Sequence, residues 1–167
     1  LRGNAPVGAL VMLEPVALNI LAMADGSDAY ASAKTVFDEY IARVERGDDK
    51  AVDIMVDFWF GEGAFGRMPA PLAAYLVREA ASNVKDVRAT FRERYSAAAL
   101  GGLRMPVVTV VGGRSPEVTH RIARLLAAHV PRGSVRTLLA ADHALTTTHV
   151  DAVAEAIAEL ATKGGLA

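Results

Sequence analysis

Pro106-Val107-Val108-Thr109-Val110-Val111-Gly112-Gly113-Arg114-Ser115-Pro116-Glu117 decides the fold class of this chain. Val107 to Val111 is a continuous apolar run between Pro106 and Gly112-Gly113, the pattern of a strand buried on both faces of a parallel sheet. Ser115, Pro116 and Glu117 then supply an N-cap, a proline at the first helical position and a carboxylate in the first turn. Val118, Ile122, Leu125, Leu126 and His129 recur at helical spacing until Pro131, so this helix has one apolar face.

The pattern repeats on both sides. Downstream, Val135 to Leu139 reads as a weaker strand, and Thr148 with Asp151 as a capping box opening a helix striped by Val150, Val153, Ile157 and Leu160. Upstream, Val7 to Leu13, between Pro6 and Glu14-Pro15, is another apolar run expected to be a strand buried on both faces. Strands alternating with helices imply right-handed crossovers and a parallel sheet of about three strands.

From Val16 to Leu100 the periodicity is helical throughout. Ala33, Val36, Phe37, Tyr40, Ile41 and Val44 form one amphipathic stripe ended by Gly47; Ile54, Met55, Phe58 and Trp59 form another ended by Gly61. Pro71 opens a third stretch toward Tyr95, with a break expected near Ser82-Asn83. The expected division is therefore 1–15 as the first core strand and acid loop, 16–100 as a helical insertion, and 101–167 as a strand–helix–strand–helix tail.

Composition narrows the function. The 167 residues are 52% hydrophobic, enough for a real core. Lys plus Arg number 18 against 19 Asp plus Glu, and a net charge of -1 gives no reason to expect nucleic acid or an anionic membrane as partner. A small-molecule substrate or another protein surface fits better. The absence of Cys excludes disulfides, thiolate catalysis and Cys-based metal sites and fits a cytoplasmic protein. No apolar run approaches the roughly 20 residues of a spanning helix. His120, His129 and His149 lack metal-binding spacing, so no metal or other cofactor is expected. Gly112-Gly113-Arg114-Ser115 looks like a phosphate turn but lacks both the Lys-Ser/Thr pair and the three-glycine spacing.

Four motifs stand in a telling order: Leu10-Val11-Met12-Leu13-Glu14-Pro15; Asp57 to Phe65; Met105-Pro106 with Val110 to Pro116; and Ala141-Asp142-His143. Their order and spacing resemble the α/β-hydrolase superfamily from its sixth strand through its helical cap to its last helix, over essentially the whole chain. The resemblance implies a three-layer α/β-hydrolase-like sheet fragment with a helical cap insertion. It also implies a hydrolase acting on an ester, C–C or similar bond of a small, partly apolar substrate.

In that family a catalytic His follows the final strand, and His143 stands there as general base of a nucleophile–His–acid triad. The competing reading is an idle surface-loop histidine. The residue before this His is commonly Gly in such hydrolases; here Asp142 could orient the imidazole or mark a site that has drifted from catalysis. The loop after the seventh strand, where many relatives carry the acid, reads Gly113-Arg114-Ser115 and holds no Asp. Some relatives, haloalkane dehalogenases among them, place the acid after the sixth strand, where Glu14 stands; Glu117 is the rival, with a macrodipole role as its simpler explanation. Trp59, Phe60, Phe65 and Met68 are candidate substrate-pocket residues, with packing inside the cap as the alternative for each.

No G-x-S-x-G elbow occurs in the sequence. The resemblance implies that the nucleophile and the oxyanion donors precede this chain, which opens at Leu1 rather than Met, and the 167-residue chain alone is expected to be inactive. The Val7 to Leu13 edge would then pair with the N-terminal half of the same protein or with a second copy. The rival functional reading is a non-catalytic ligand-binding or interaction protein on the same scaffold.

Overall fold

A computed structural model describes residues 7–23 and 28–163; Leu1 and Pro6 lie outside the described residues. In chain order the elements are β1 (Leu10–Leu13), α1 (Asp28–Glu45), α2 (Val52–Phe60), α3 (Ala70–Arg92) and α4 (Ala97–Gly101). They are followed by β2 (Val107–Gly112), α5 (Glu117–His129), β3 (Gly133–Leu138), α6 (Leu145–Thr148) and α7 (Val150–Lys163). Two compact units result, a sheet unit that runs to Pro15 and resumes at Tyr95, and a helical unit, Val16–Arg94.

The sheet unit is α/β. Its three strands are parallel in the order β1-β2-β3, with Leu10 opposite Val107 and Val107 opposite Gly133. The central strand is the driest: Val107, Val110 and Val111 are all buried, as its unbroken apolar run demands. Val153 and Ala156 of α7 join Val110, Ala141 and Leu145 in one apolar cluster, against which Val11, Leu13, Val108 and Leu138 pack. α5 packs on β2 and β3. A Cβ on Gly133 would lie 2.5 Å from the Ala127 carbonyl oxygen, so β3 begins on a residue without one.

Several boundaries differ from the expected ones. β1 is confined to Leu10–Leu13 and all four residues are half-buried, because it is an edge strand of the described sheet. β3 ends at Leu138, leaving Leu139 in the following turn, 83% exposed. Ser115 does not cap α5; Pro116 occupies the N-cap position without a side-chain bond. The Thr148 hydroxyl bonds back to the Ala144 carbonyl, closing α6 rather than opening α7. In α7 the buried stripe is Val153, Ala156 and Leu160, while Val150 and Ile157 are exposed.

The helical unit has its own core. Phe37 and Tyr40 of α1 are buried, and Phe37 meets Phe58 and Trp59 of α2 with ring centroids 4.8 and 5.9 Å away. α3 runs unbroken through Ser82-Asn83, since the Asn83 side chain turns outward from its own backbone to accept the Tyr40 hydroxyl at 2.9 Å. Burial raises the Tyr40 phenol above its ordinary pKa. Asn19, buried in the 3-10 turn Leu18–Met23, donates to the carbonyls of Phe91 (2.8 Å) and Glu93, closing the C-terminal end of α3.

Those carbonyls would lose a buried donor in Asn19→Ala. The substitution is expected to destabilise the helical unit by about 1–3 kcal/mol, read as a lower denaturant midpoint at unchanged slope, with the last turn of α3 losing amide protection first.

Candidate functional site

Glu14 is the first residue past β1, and its φ of 45° is the only positive value at a non-glycine among the described residues. Left-handed backbone is uncommon for such a residue, and the following Pro15 favours an extended neighbour, so this conformation runs against local preference. The ladder explains what is gained. Leu10 N–H donates to Pro106 O and Glu14 N–H to Val110 O, both at 3.0 Å. The alternation of a parallel pair would send the next amide, Gly112 N–H, to the Glu14 carbonyl. Instead it donates to Glu14 Oε1 at 2.5 Å, so the side chain takes the place of the next rung.

The turn from β2 to α5 supplies a second donor, the Ser115 hydroxyl, 2.8 Å from the same Oε1. Glu14 Oε2 lies 2.7 Å from His143 Nδ1. The carboxylate is 5% exposed and the imidazole 16%. Because carboxylate oxygens accept, Nδ1 carries the proton of this bond, and whenever the ring is neutral its lone pair is on Nε2. That is the tautomer a general base needs.

His143 is held from both sides. Ala141 and Leu145, two residues before and two after, are fully buried in the cluster shared with Val110. Gly113 N–H donates to Leu138 O and Arg114 N–H to Ala141 O, both at 2.9 Å, pinning the loop to the end of β2. The close approach explains the glycine pair. A Cβ on Gly112 would lie 2.7 Å from backbone atoms of Ala141 and Asp142, and one on Gly113 2.6 Å from Leu139 O. The absence of side chains on these glycines admits the histidine loop.

The other sequence candidates separate. Glu117 is exposed on α5 and pairs with Arg124, so Glu14 is the carboxylate that meets His143. Asp142 accepts Ala144 N–H at 3.0 Å, closing its own turn rather than orienting the imidazole. Trp59 is buried among Phe37 and Phe58, Phe60 is exposed, and Phe65 and Met68 pack beside Val52, Val56, Ala64 and Ala80 within the helical unit. His129 Nδ1 lies on Leu125 O and His149 Nδ1 on the Thr148 hydroxyl. Among the described residues no group of three or more His, Asp and Glu is placed to hold a metal ion, and no helix is long and apolar enough to cross a membrane.

Sequence reasoning passed over Ser115 and the Gly112 amide as site groups. Ser-Pro-Glu is read as a helix start before anything else, and a backbone amide carries no sequence signal. It also missed Asp57, whose carboxylate takes Gly63 N–H (2.7 Å) and Phe65 N–H (3.0 Å) and shapes the turn between α2 and Phe65. Compared with protein-family models and with curated proteins, the chain matches none.

Gly112→Ala and Gly113→Ala are expected to cost about 1–3 kcal/mol or more by overpacking and to displace the histidine loop. Two-dimensional NMR of the imidazole should show the Nδ1 proton bonded to Glu14 weakening in both, while Gly66→Ala, in open space in the helical unit, leaves it unchanged.

Proposed function

We propose that this chain is the histidine-and-acid part of an α/β-fold hydrolase resembling the α/β-hydrolase superfamily, with His143 as general base and Glu14 as the acid that orients it. The observation that carries this reading is the 2.7 Å contact between a buried carboxylate and the Nδ1 of a loop histidine, formed at the carboxyl ends of parallel strands. Ligand sites of open α/β sheets form at that edge.

Energetics support a functional reading of the contact. Burying a carboxylate is unfavourable unless it is well bonded, and replacing a buried ion pair by apolar groups is commonly neutral or stabilising. A left-handed residue adds about 1–3 kcal/mol of local strain. A sheet needs neither feature at the end of an edge strand, whereas a base that must keep one tautomer needs a fixed acceptor on Nδ1. In the proposed reaction the nucleophile gives its proton to Nε2 as it attacks the scissile bond, Glu14 offsets the positive charge that develops on the ring, and the same proton then passes to the leaving group. The helical unit is proposed as the cap, with Trp59, Phe65 and Met68 serving its own core.

The nucleophile is proposed to lie upstream, on a strand beside β1. Since Leu10 and Glu14 direct their amides to β2, Val11 and Leu13 direct theirs to the opposite edge, which is where a further parallel strand or a second copy would pair.

Two measurements test this. In the protein that includes the upstream segment, His143→Ala should abolish hydrolysis of short acyl esters and Glu14→Gln should cost about 10²–10⁴-fold in kcat. Full activity in His143→Ala would overturn His143 as the base, whereas a wild-type protein without any hydrolysis would favour the binding protein. For the edge, Val11→Pro removes one outward amide while sparing the ladder to β2; light scattering should show the 167-residue chain associating or holding a partner, and the variant doing so less. A wild-type chain that stays monomeric and unaccompanied would overturn the proposed pairing.

A further inference from the structure

We infer that Ser115 is a positioning residue of the Glu14–His143 pair: its hydroxyl, together with the Gly112 amide, occupies one carboxylate oxygen so that the other is presented to the imidazole. This rests on the reading of His143 as a base, but its physical content is separable from turnover.

The terminal torsion of a glutamate is broad and roughly two-fold, so its carboxylate turns easily unless both oxygens are engaged. In this site Oε1 receives Gly112 N–H at 2.5 Å and Ser115 O–H at 2.8 Å, from directions fixed by the turn between β2 and α5. Oε2 is left to His143. With the amide alone, Oε1 would be tethered at one point and the group could pivot about it, carrying Oε2 away from Nδ1. The hydroxyl adds the second point.

Ser115 is free for this task because of Pro116. The proline takes the N-cap position and α5 begins at Glu117, so Ser115 stands one residue outside the helix and makes no capping bond. Its own N–H donates to Gly112 O at 3.1 Å, which closes the turn and turns its side chain inward. The residue is 7% exposed, so water has little access to replace the hydroxyl. Facing a carboxylate, the hydroxyl has one useful role, as donor. A purely packing role for Ser115 would be served equally by Ala or Cys.

The test uses the full chain labelled with 15N. The Nδ1 proton bonded to Glu14, assigned by its loss in His143→Ala, should be a sharp downfield resonance, with Nε2 in its unprotonated form. Ser115→Ala should broaden that proton and mix the two imidazole tautomers, and Ser115→Thr, which keeps the hydroxyl, should restore the wild-type pattern. Ser115→Cys keeps the shape with a weak donor and should behave like the alanine variant; it decides the matter if Ser115→Ala fails to fold. In the protein with its upstream segment, Ser115→Ala should lower kcat about tenfold with KM nearly unchanged. An unaltered resonance in Ser115→Cys, or in a folded Ser115→Ala, overturns the inference. If the resonance responds to Ser115 but His143→Ala leaves turnover intact, the positioning of the imidazole stands and the reading of His143 as the base falls. If His143→Ala abolishes turnover while Ser115→Ala changes neither signal nor kcat, the reverse holds.

Discussion

The buried carboxylate of Glu14 joins the ends of all three strands. It leaves the end of β1, takes an amide from the last residue of β2 and a hydroxyl from the turn after it, and meets the histidine of the loop after β3. Each bond to a charged acceptor is worth about 1.5–3 kcal/mol, which is of the order needed to offset removing the carboxylate from water. The net stabilisation is therefore small. What the arrangement supplies is a single geometry, because moving any one strand end leaves a buried charge under-bonded.

That constraint accounts for features that otherwise look unrelated. Glu14 takes a left-handed φ so that its side chain can replace the next rung of the ladder. Gly112 and Gly113 lack side chains because the loop of Ala141 and Asp142 must lie against them for His143 to reach Oε2. Ala141 and Leu145 are fully buried on either side of that histidine, so the fold's apolar core and the site's polar contact fix the same short loop. Packing and electrostatics are coupled here through five consecutive residues.

The core of the sheet unit is legible in the sequence because a doubly covered strand leaves a plain signature: Val107 to Val111 is as apolar in the sequence as it is dry in the structure. Edge strands leave a weaker one. Val7 to Leu13 is just as apolar as the central run, yet β1 starts only at Leu10, since pairing partners rather than hydrophobicity set where a strand begins. Asn83 shows the opposite error: a helix-breaking tendency is cancelled once a distant Tyr40 occupies the side chain. Glu14 and His143 are legible only by position, as polar residues following apolar runs. Gly112 and Ser115 are not legible at all, because a glycine pair fits many turns and Ser-Pro-Glu spells a helix start so well that it hides a hydroxyl facing the other way.

The two units spend their polar side chains differently, and this bears on how specific each is. In the helical unit, Asn19, Asp57 and Asn83 bond to carbonyls, amides or a tyrosine of the same unit, completing helix ends and turns. Such contacts satisfy what the backbone and core already require. The Glu14 carboxylate satisfies one backbone amide and then goes further, to a serine that has given up its capping role and a histidine on a loop built to deliver it. Local rules are broken at three neighbouring points, the φ of Glu14, the uncapped start of α5 and the buried charge, and all three converge on the orientation of one imidazole. Departures from local preference that agree with one another in this way are what supports the proposed role of the Glu14–His143 pair.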